Sequence, residues 1–586
     1  MSAAIQAPPL NTGLNTGEII ARFLQVQGVR VAFGVISIHN MPILDAFHRL
    51  GVIRFVPARG EAGATNMADA AARVSGTLGV VVTSTGTGSG NAAGALVEAM
   101  TAGTPLLHLT GQIDSQWIDK NWGFIHEHPD QMGMLGAVGK GAFRIRSPQE
   151  AWDVLTRATA LALTPPCGPV SVEIAIDVQQ ALLEQKEAIA GVLSVQSAPE
   201  FIAPKLLHTT QLAQLASSLR SAQRPMLWLG GGARGASSAV QRLVALGFGV
   251  VTSVQGRGVI AEDHPASLGA FNLQRASAQL YQRCDAMLIV GSRLRSNETM
   301  KYKLALPERR FRIDGNPAVE KQAYACEQFI EADSNLALNA LADALQGWQA
   351  DGAWHAEISA AKQAAQQQVD ASLGAYVQLK DALNKVVESD LQGQCIWARD
   401  ITLSNTMWGN RSLVLRHPRA GVHALGGGIG QGLQMGIGAA ISAEVYKEKR
   451  PVNQHIAGIK STSDAIKTIV LAGDGGFMLN VGELACAAQE KADLLVILMN
   501  DCGYGVIKNI QDADYGSRHC YVDLHTPDFA LLCASMGVKY LKSSHPDQIE
   551  VQLKAAIQGR GPTVLEVDMK AWGPFKEKFA GPQRKL

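Results

Sequence analysis

Short runs of consecutive apolar residues alternate along the chain with longer stretches in which apolar positions recur every three to four residues. The short runs are aliphatic throughout, with no polar alternation. Strands buried on both faces need that composition, and the longer amphipathic stretches supply the helices that cover them. The pattern therefore predicts an α/β chain of doubly wound domains with mainly parallel sheets.

Three blocks follow from this spacing. In the first, residues 1–190, VRVAFGVI, GVVVTST, PLLHLTG and PVSVEIAI read as strands, and GEAGATNMADAAARVSG as a helix. A polar, proline-containing stretch, QSAPEFIAPK, predicts a linker. The second block, residues 205–345, has PMLWLGGG, GVVTSV, AMLIVGS and FRIDGN as strands. The Ala/Gln-rich helix HAEISAAKQAAQQQV then leads to a third block, residues 375–570, with strands VHALGG, TIVLAGD, LLVILMN and TVLEVDM. Residues 447–467 are polar and out of pattern, which predicts a surface insertion, and residues 571–586 form a basic tail.

Length and composition narrow the function. A chain of 586 residues is too long for one core, and 59 glycines suit a protein with many strand-to-helix turns. Lys and Arg total 52 against 51 Asp and Glu, a net charge of +1, which argues against nucleic-acid and membrane-surface partners. No apolar run approaches a membrane span, and MSAAIQAPPLNTG lacks the charged and apolar regions of a secretory signal. The eight cysteines show no metal-binding or CxxC spacing, so they read as reduced thiols of a cytoplasmic protein.

The chemistry concentrates where strands end. Asp474 follows TIVLAG and is followed by Gly475 and Gly476; Asn500 follows LLVILM and opens NDCGYG. Ligands of open parallel sheets bind beyond the carboxyl ends of the strands. A carboxylate and an amide oxygen there make a hard-oxygen site suited to Mg²⁺, and the glycines let backbone N–H groups approach a phosphate. Taken alone, GDGG is equally a tight turn with an Asp cap.

GDG followed at this distance by Asn and a G-Y-G-like turn resembles the thiamine diphosphate motif. RGEAGATNMADAAARVSG, STGTGSGNAAGALVEAMTAGTPLLHLTGQ, GGGIGQGLQMGIGAA and the central stretch from Gly231 onward resemble, in order, segments of the acetolactate synthase, pyruvate decarboxylase and benzaldehyde lyase group. The resemblance covers nearly the whole chain. It implies pyrimidine-binding, central and diphosphate-binding domains, with active sites shared between subunits of a homodimer or homotetramer. It also implies thiamine diphosphate and Mg²⁺ as cofactors, with Mg²⁺ on the side chains of Asp474 and Asn500 and the backbone oxygen of Cys502. Gly473, Gly475, Gly476, Gly503, Tyr504 and Ser404 would lie along the cofactor. Ile429 would be the wedge that bends it, the Gly427 carbonyl would orient its amino group, and Glu61 would activate it. Asp501 stands where many relatives carry a second Asn, which was not expected to matter.

The central block has Gly230, Gly232 and Gly235 in GxGxxG spacing, without an acid about twenty residues on to hold a ribose. Some relatives bind FAD or ADP there; the residues do not favour it here, and Asp314 is the position to watch. In FGVISIHN, Ile38 and His39 fall where relatives carry substrate-facing groups, and in GFIHEHPDQ so do His126 and Glu127. Histidines suit proton transfer to a carbanion or alkoxide. His128 reads as a loop residue. The resemblance implies a small-molecule substrate and decarboxylation of a 2-oxo acid, with possible carboligation of the acyl anion to a second carbonyl. The alternatives are a lyase or hydrolase of a 2-hydroxy ketone or 1,2-dione, and a relative of 2-hydroxyacyl-CoA lyase or oxalyl-CoA decarboxylase.

Overall fold

A computed structural model describes residues 13–195, 209–447 and 466–579. The QSAPEFIAPK linker, most of the 447–467 insertion and the end of the basic tail lie outside the described residues.

Every aliphatic run named above forms or contains a buried strand. The first sheet comprises β1 (Val31–Gly34), β2 (Arg54–Pro57), β3 (Gly79–Thr83), β4 (Leu106–Gln112), β5 (Gly141–Ile145) and β6 (Pro169–Ala175), in the order β2-β1-β3-β4-β6-β5. The central sheet comprises β7 (Pro225–Leu229), β8 (Gly249–Thr252), β9 (Ala286–Val290), β10 (Arg310–Asp314) and β11 (Gln328–Glu331), in the order β8-β7-β9-β10-β11. The third comprises β12 (Ile396–Arg399), β13 (Gly421–His423), β14 (Thr468–Gly473), β15 (Leu494–Asn500), β16 (Lys539–Ser543) and β17 (Thr563–Asp568), in the order β13-β12-β14-β15-β17-β16. Pairing within all three is parallel, as continuous aliphatic strands demand. Each sheet has its own apolar core. Among the described residues no helix is long and apolar enough to cross a membrane.

The contacts divide the chain into two compact units. The first gathers residues 13–195 with 424–447 and 480–493; the second gathers 209–423, 466–479 and 494–579. In the first unit, α1 (Glu61–Ser75) packs against both α2 (Thr87–Ala102) and α3 (Gly432–Val445), and α3 is buried over most of its length. Small residues make this possible. A Cβ added to Gly438 would sit 2.1 Å from the Met67 carbonyl oxygen, so only glycine lets the two backbones come this close.

His108, at the centre of β4, has no exposed surface. It lies between the hydroxyls of Thr83 (2.8 Å) and Ser171 (2.9 Å) on the flanking strands. Burial pushes its pKa from 6.5 to about 3. The folded chain thus keeps His108 neutral while the unfolded chain takes up a proton near pH 6.5. Stability should fall as pH drops through 6.5, and this one group should remove about 2 kcal/mol between pH 7 and pH 5. Denaturant unfolding of the native chain and His108→Gln at the two pH values checks this. An identical loss in both would rule out His108 as the source.

Candidate active site

In the second unit, the ends of β12, β14 and β15 lie side by side, with Gly473 paired to Met499. Asp474 opens α4 (Asp474–Leu479) and is wholly buried. Its Oδ1 accepts the Asp501 N–H at 3.3 Å, and its Oδ2 has no partner. The Asp501 carboxyl lies against it: burial first and the Asp501 charge second raise the Asp474 pKa, and burial raises that of Asp501. Gly505 clears the space for Asp501, since a Cβ there would meet Asp501 Oδ2 at 2.2 Å.

Asn500 is turned to other work. Its Nδ2 donates to Glu566 on β17 at 2.9 Å, and its Oδ1 accepts the Cys502 N–H at 3.1 Å. Cys502 is left-handed (φ 56°), and its carbonyl accepts the Leu524 N–H at 3.0 Å. Gly503 bridges to Asp523, and the Tyr504 ring fills the space beside Gly475, 2.7 Å from where a Cβ would stand. The structure therefore brings Asp501, rather than Asn500, to Asp474. Sequence reading passes over Asp501 because it stands where many relatives carry a second Asn, and only the fold brings its carboxyl to Asp474.

Ser404 and Asn405, at the turn after β12, leave Oγ and Oδ1 buried without partners. Thr402, two residues earlier, packs beside Gly473. Two desolvated carboxylates that repel each other call for a cation, and the unpartnered Ser404 hydroxyl at the neighbouring strand end suits a phosphate. The residues fit Mg²⁺ with a diphosphate.

In the first unit, Glu61 is the first residue of α1. Its Oε2 accepts from Asn91 Nδ2 at 3.2 Å, while its Oε1 lies 2.9 Å from the position of a Gly88 Cβ. The helix start is fixed by Glu483 of α5 (Glu483–Gln489), a buried acid that accepts the Arg59 N–H (3.1 Å) and the Gly60 N–H (3.0 Å). A second buried acid, Glu98, accepts the N–H of Leu425 (2.7 Å) and Gly426 (2.6 Å) and bonds Arg73, which also pairs with Asp69. That anchor precedes Gly427 (φ 88°) and Ile429, which is 40% exposed. Neither Glu98 nor Glu483 was singled out from sequence; an acid in a helix gives no local sign that its partners lie hundreds of residues away.

His39 and His126 come together, their rings 5.2 Å apart and edge-on. Both loops are held close by glycine. A Cβ on Gly111 would meet the His39 carbonyl oxygen at 2.0 Å, and one on Gly86 the His126 carbonyl oxygen at 2.3 Å. Buried Gln131 ties the two sides. Its Oε1 accepts the Gly86 N–H (2.7 Å) and the Ser89 hydroxyl (2.7 Å), and its Nε2 donates to Glu173 (2.7 Å). His39 is half-buried with Nδ1 unpartnered; burial and then His126 lower its pKa, against Asp114. Around it Ile36, Ile38 and Ile125 are exposed.

Glu127 shapes this loop instead of facing a ligand. It accepts from the Trp122, Gly123 and Phe124 amides at 3.3, 2.7 and 3.0 Å. His128 Nδ1 accepts the Asp130 N–H at 3.0 Å. In the central sheet, Gly230 and Gly232 pack on Gly291 and Gly231 on Gln255, while Asp314 accepts the Asn316 N–H at 2.9 Å.

Residues 14–134 match the thiamine pyrophosphate enzyme N-terminal TPP binding domain, 212–341 the central domain, and 404–567 the C-terminal TPP binding domain. The chain is 30% identical over 558 residues to a probable 2-ketoarginine decarboxylase of Pseudomonas aeruginosa, covering 94% of each. It is 27% identical over 566 residues to a probable acetolactate synthase large subunit of Methanocaldococcus jannaschii, covering 94% of this chain and 91% of that one. It is 25% identical over 565 residues to the acetolactate synthase isozyme 2 large subunit of Escherichia coli, covering 95% and 96%. The chain belongs to the thiamine pyrophosphate enzyme family and is a thiamine diphosphate-dependent enzyme.

Proposed function

We propose that this enzyme decarboxylates a 2-oxo acid with thiamine diphosphate and Mg²⁺, and that the acyl anion is then protonated or passed to a second carbonyl. The observation that carries the reading is the His39–His126 pair, a proton source ringed by the exposed Ile36, Ile38 and Ile125. Similarity over 94% of the chain to a 2-ketoarginine decarboxylase supports the donor class.

Bound thiamine diphosphate supplies a carbon nucleophile and a sink for the electron pair freed when a C–C bond breaks. The chain's own residues bind, orient and move protons. Asp474 and Asp501 hold Mg²⁺, and Asn500 sets the turn that carries Asp501 and Cys502. Ser404 and the Gly475 and Gly476 amides take the diphosphate, beside Gly473, Gly503 and Tyr504. Gly427 and Ile429 orient the rings. Glu61 holds the activating proton at its carboxylate, and His39 or His126 delivers one to the product carbon. The functional form is a homodimer or homotetramer in which Glu61 of one subunit serves another.

A cleavage of a 2-hydroxy ketone or 1,2-dione is the second reading, favoured by the apolar Ile38 beside His39. CO2 release from a panel running from pyruvate to phenylpyruvate and 2-oxo-5-guanidinovalerate separates the two. Release that depends on Glu61 establishes decarboxylation, and none from any acid moves the assignment to the ketones and diones.

Glu61→Gln should leave the chain folded and able to bind the cofactor while turnover falls by about 10²–10⁴, the usual worth of a positioned acid–base group. Full activity would end the proposed role. Asp474→Ala and Asp501→Ala should each abolish Mg²⁺-dependent cofactor binding by calorimetry, whereas Asn500→Ala should weaken it less. Loss with Asn500→Ala but not with Asp501→Ala would return the ligand role to Asn500.

A further inference from the structure

In the second unit, Arg257, Arg399 and Arg411 converge on the chain between Thr406 and Leu415. Arg257, 1% exposed, grips Glu262 through Nε and Nη2, both at 2.7 Å, and its Nη2 also donates to the Leu413 carbonyl. Glu262 accepts the Leu415 N–H at 2.8 Å as well. Arg399, without exposed surface, donates Nη1 to the Gly409 carbonyl (3.3 Å) and Asn410 Oδ1 (2.9 Å). Arg411 donates to the Thr406 and Met407 carbonyls, each at 3.2 Å.

The two fully buried guanidiniums differ in one respect. The edge formed by Nε and Nη2, which in Arg257 is filled by a carboxylate, is without a partner in Arg399, and Arg257 Nη1 is unpartnered too. Arginine does not deprotonate in proteins, and its planar fork matches a small anion along that edge. Burial, then the Arg257 charge, oppose the charge on Arg399, and the Glu262 carboxylate partly offsets them. Water could satisfy the N–H groups but brings no countercharge to the buried guanidiniums. Arg312 also leaves Nε and Nη2 unpartnered, but there Asp314 supplies the countercharge.

We propose that the Nε/Nη2 edge of Arg399, with Arg257 Nη1, forms a buried binding site for a small monoanion of the chloride class. The anion braces the Thr406–Leu415 segment from beneath. Its donors come from β12 and from the loop after β8, so it ties these two parts of the second unit by charge.

The test uses the full chain. Crystals soaked in bromide should show an anomalous peak within hydrogen-bond distance of Arg399 Nε and Nη2. At equal ionic strength, the thermal midpoint should be higher by at least ~2 °C in chloride or bromide than in gluconate, which is too large to enter; binding to the folded state alone produces that shift. Formate in place of halide tells whether a planar two-oxygen anion is preferred, since it should then raise the midpoint further. Arg399→Met should make the midpoint indifferent to the anion. Equal midpoints in all salts, or a bromide peak only elsewhere, would overturn the site. Should Arg399→Met fail to fold, the bromide peak in the native chain decides alone.

Discussion

Carboxylates committed to backbone amides hold the loops on which the site depends. Glu98 takes two N–H groups ahead of Gly427 and Ile429, Glu483 takes those before Glu61, and Glu127 takes three in the His126 loop. A carboxylate offers about four lone-pair sites, and for the buried Glu98 and Glu483 each such hydrogen bond contributes about 1.5–3 kcal/mol, enough to fix a glycine-rich segment that could not fix itself. For Glu127 the amides, set against some burial, hold the carboxyl below its usual range. Asp474 departs from that use: one oxygen takes a single long N–H contact and the other none. The acids that build the site are saturated, and the acid expected to meet the metal is not.

Close approach does the complementary work. Gly86, Gly111 and Gly505 stand where a single methyl group would collide with a carbonyl or a carboxylate of the site. Removing the side chain lets the His39 loop, the His126 loop and Asp501 reach their places. Gln131 then couples the two histidine loops through hydrogen bonds that water cannot replace in the interior.

Local pattern carries local structure, and that is the measure of what could be read in the sequence. The aliphatic runs identify the strands because burial on both faces leaves no other composition for a parallel strand. GDGG identified Asp474 because a strand end, an acid and glycines are neighbours in sequence. The choice between Asn500 and Asp501 was not legible, because it depends on which side chain the turn after β15 sends across to β14 and which toward Glu566 on β17. Glu98 was equally hidden: the amides it serves lie more than three hundred positions away. The placement of 424–447 with the first unit had the same cause, since small residues in α3 matter only against a carbonyl of α1.

The electrostatics around His39 bear on the reaction. Burial and then His126 lower its pKa, against Asp114, and this net lowering disfavours the charged ring. A fixed cation beside a 2-oxo acid would form an ion pair with the carboxylate that is to be lost, and would stabilise the ground state more than the transition state. A neutral imidazole can orient that carboxylate by hydrogen bonding without the same ground-state stabilisation. Once the carboxylate has left, the ring can take up a proton from solvent and pass it, as imidazolium, to carbon. Exposed Ile36, Ile38 and Ile125 add apolar surface, where a departing CO2 is better accommodated than its parent anion.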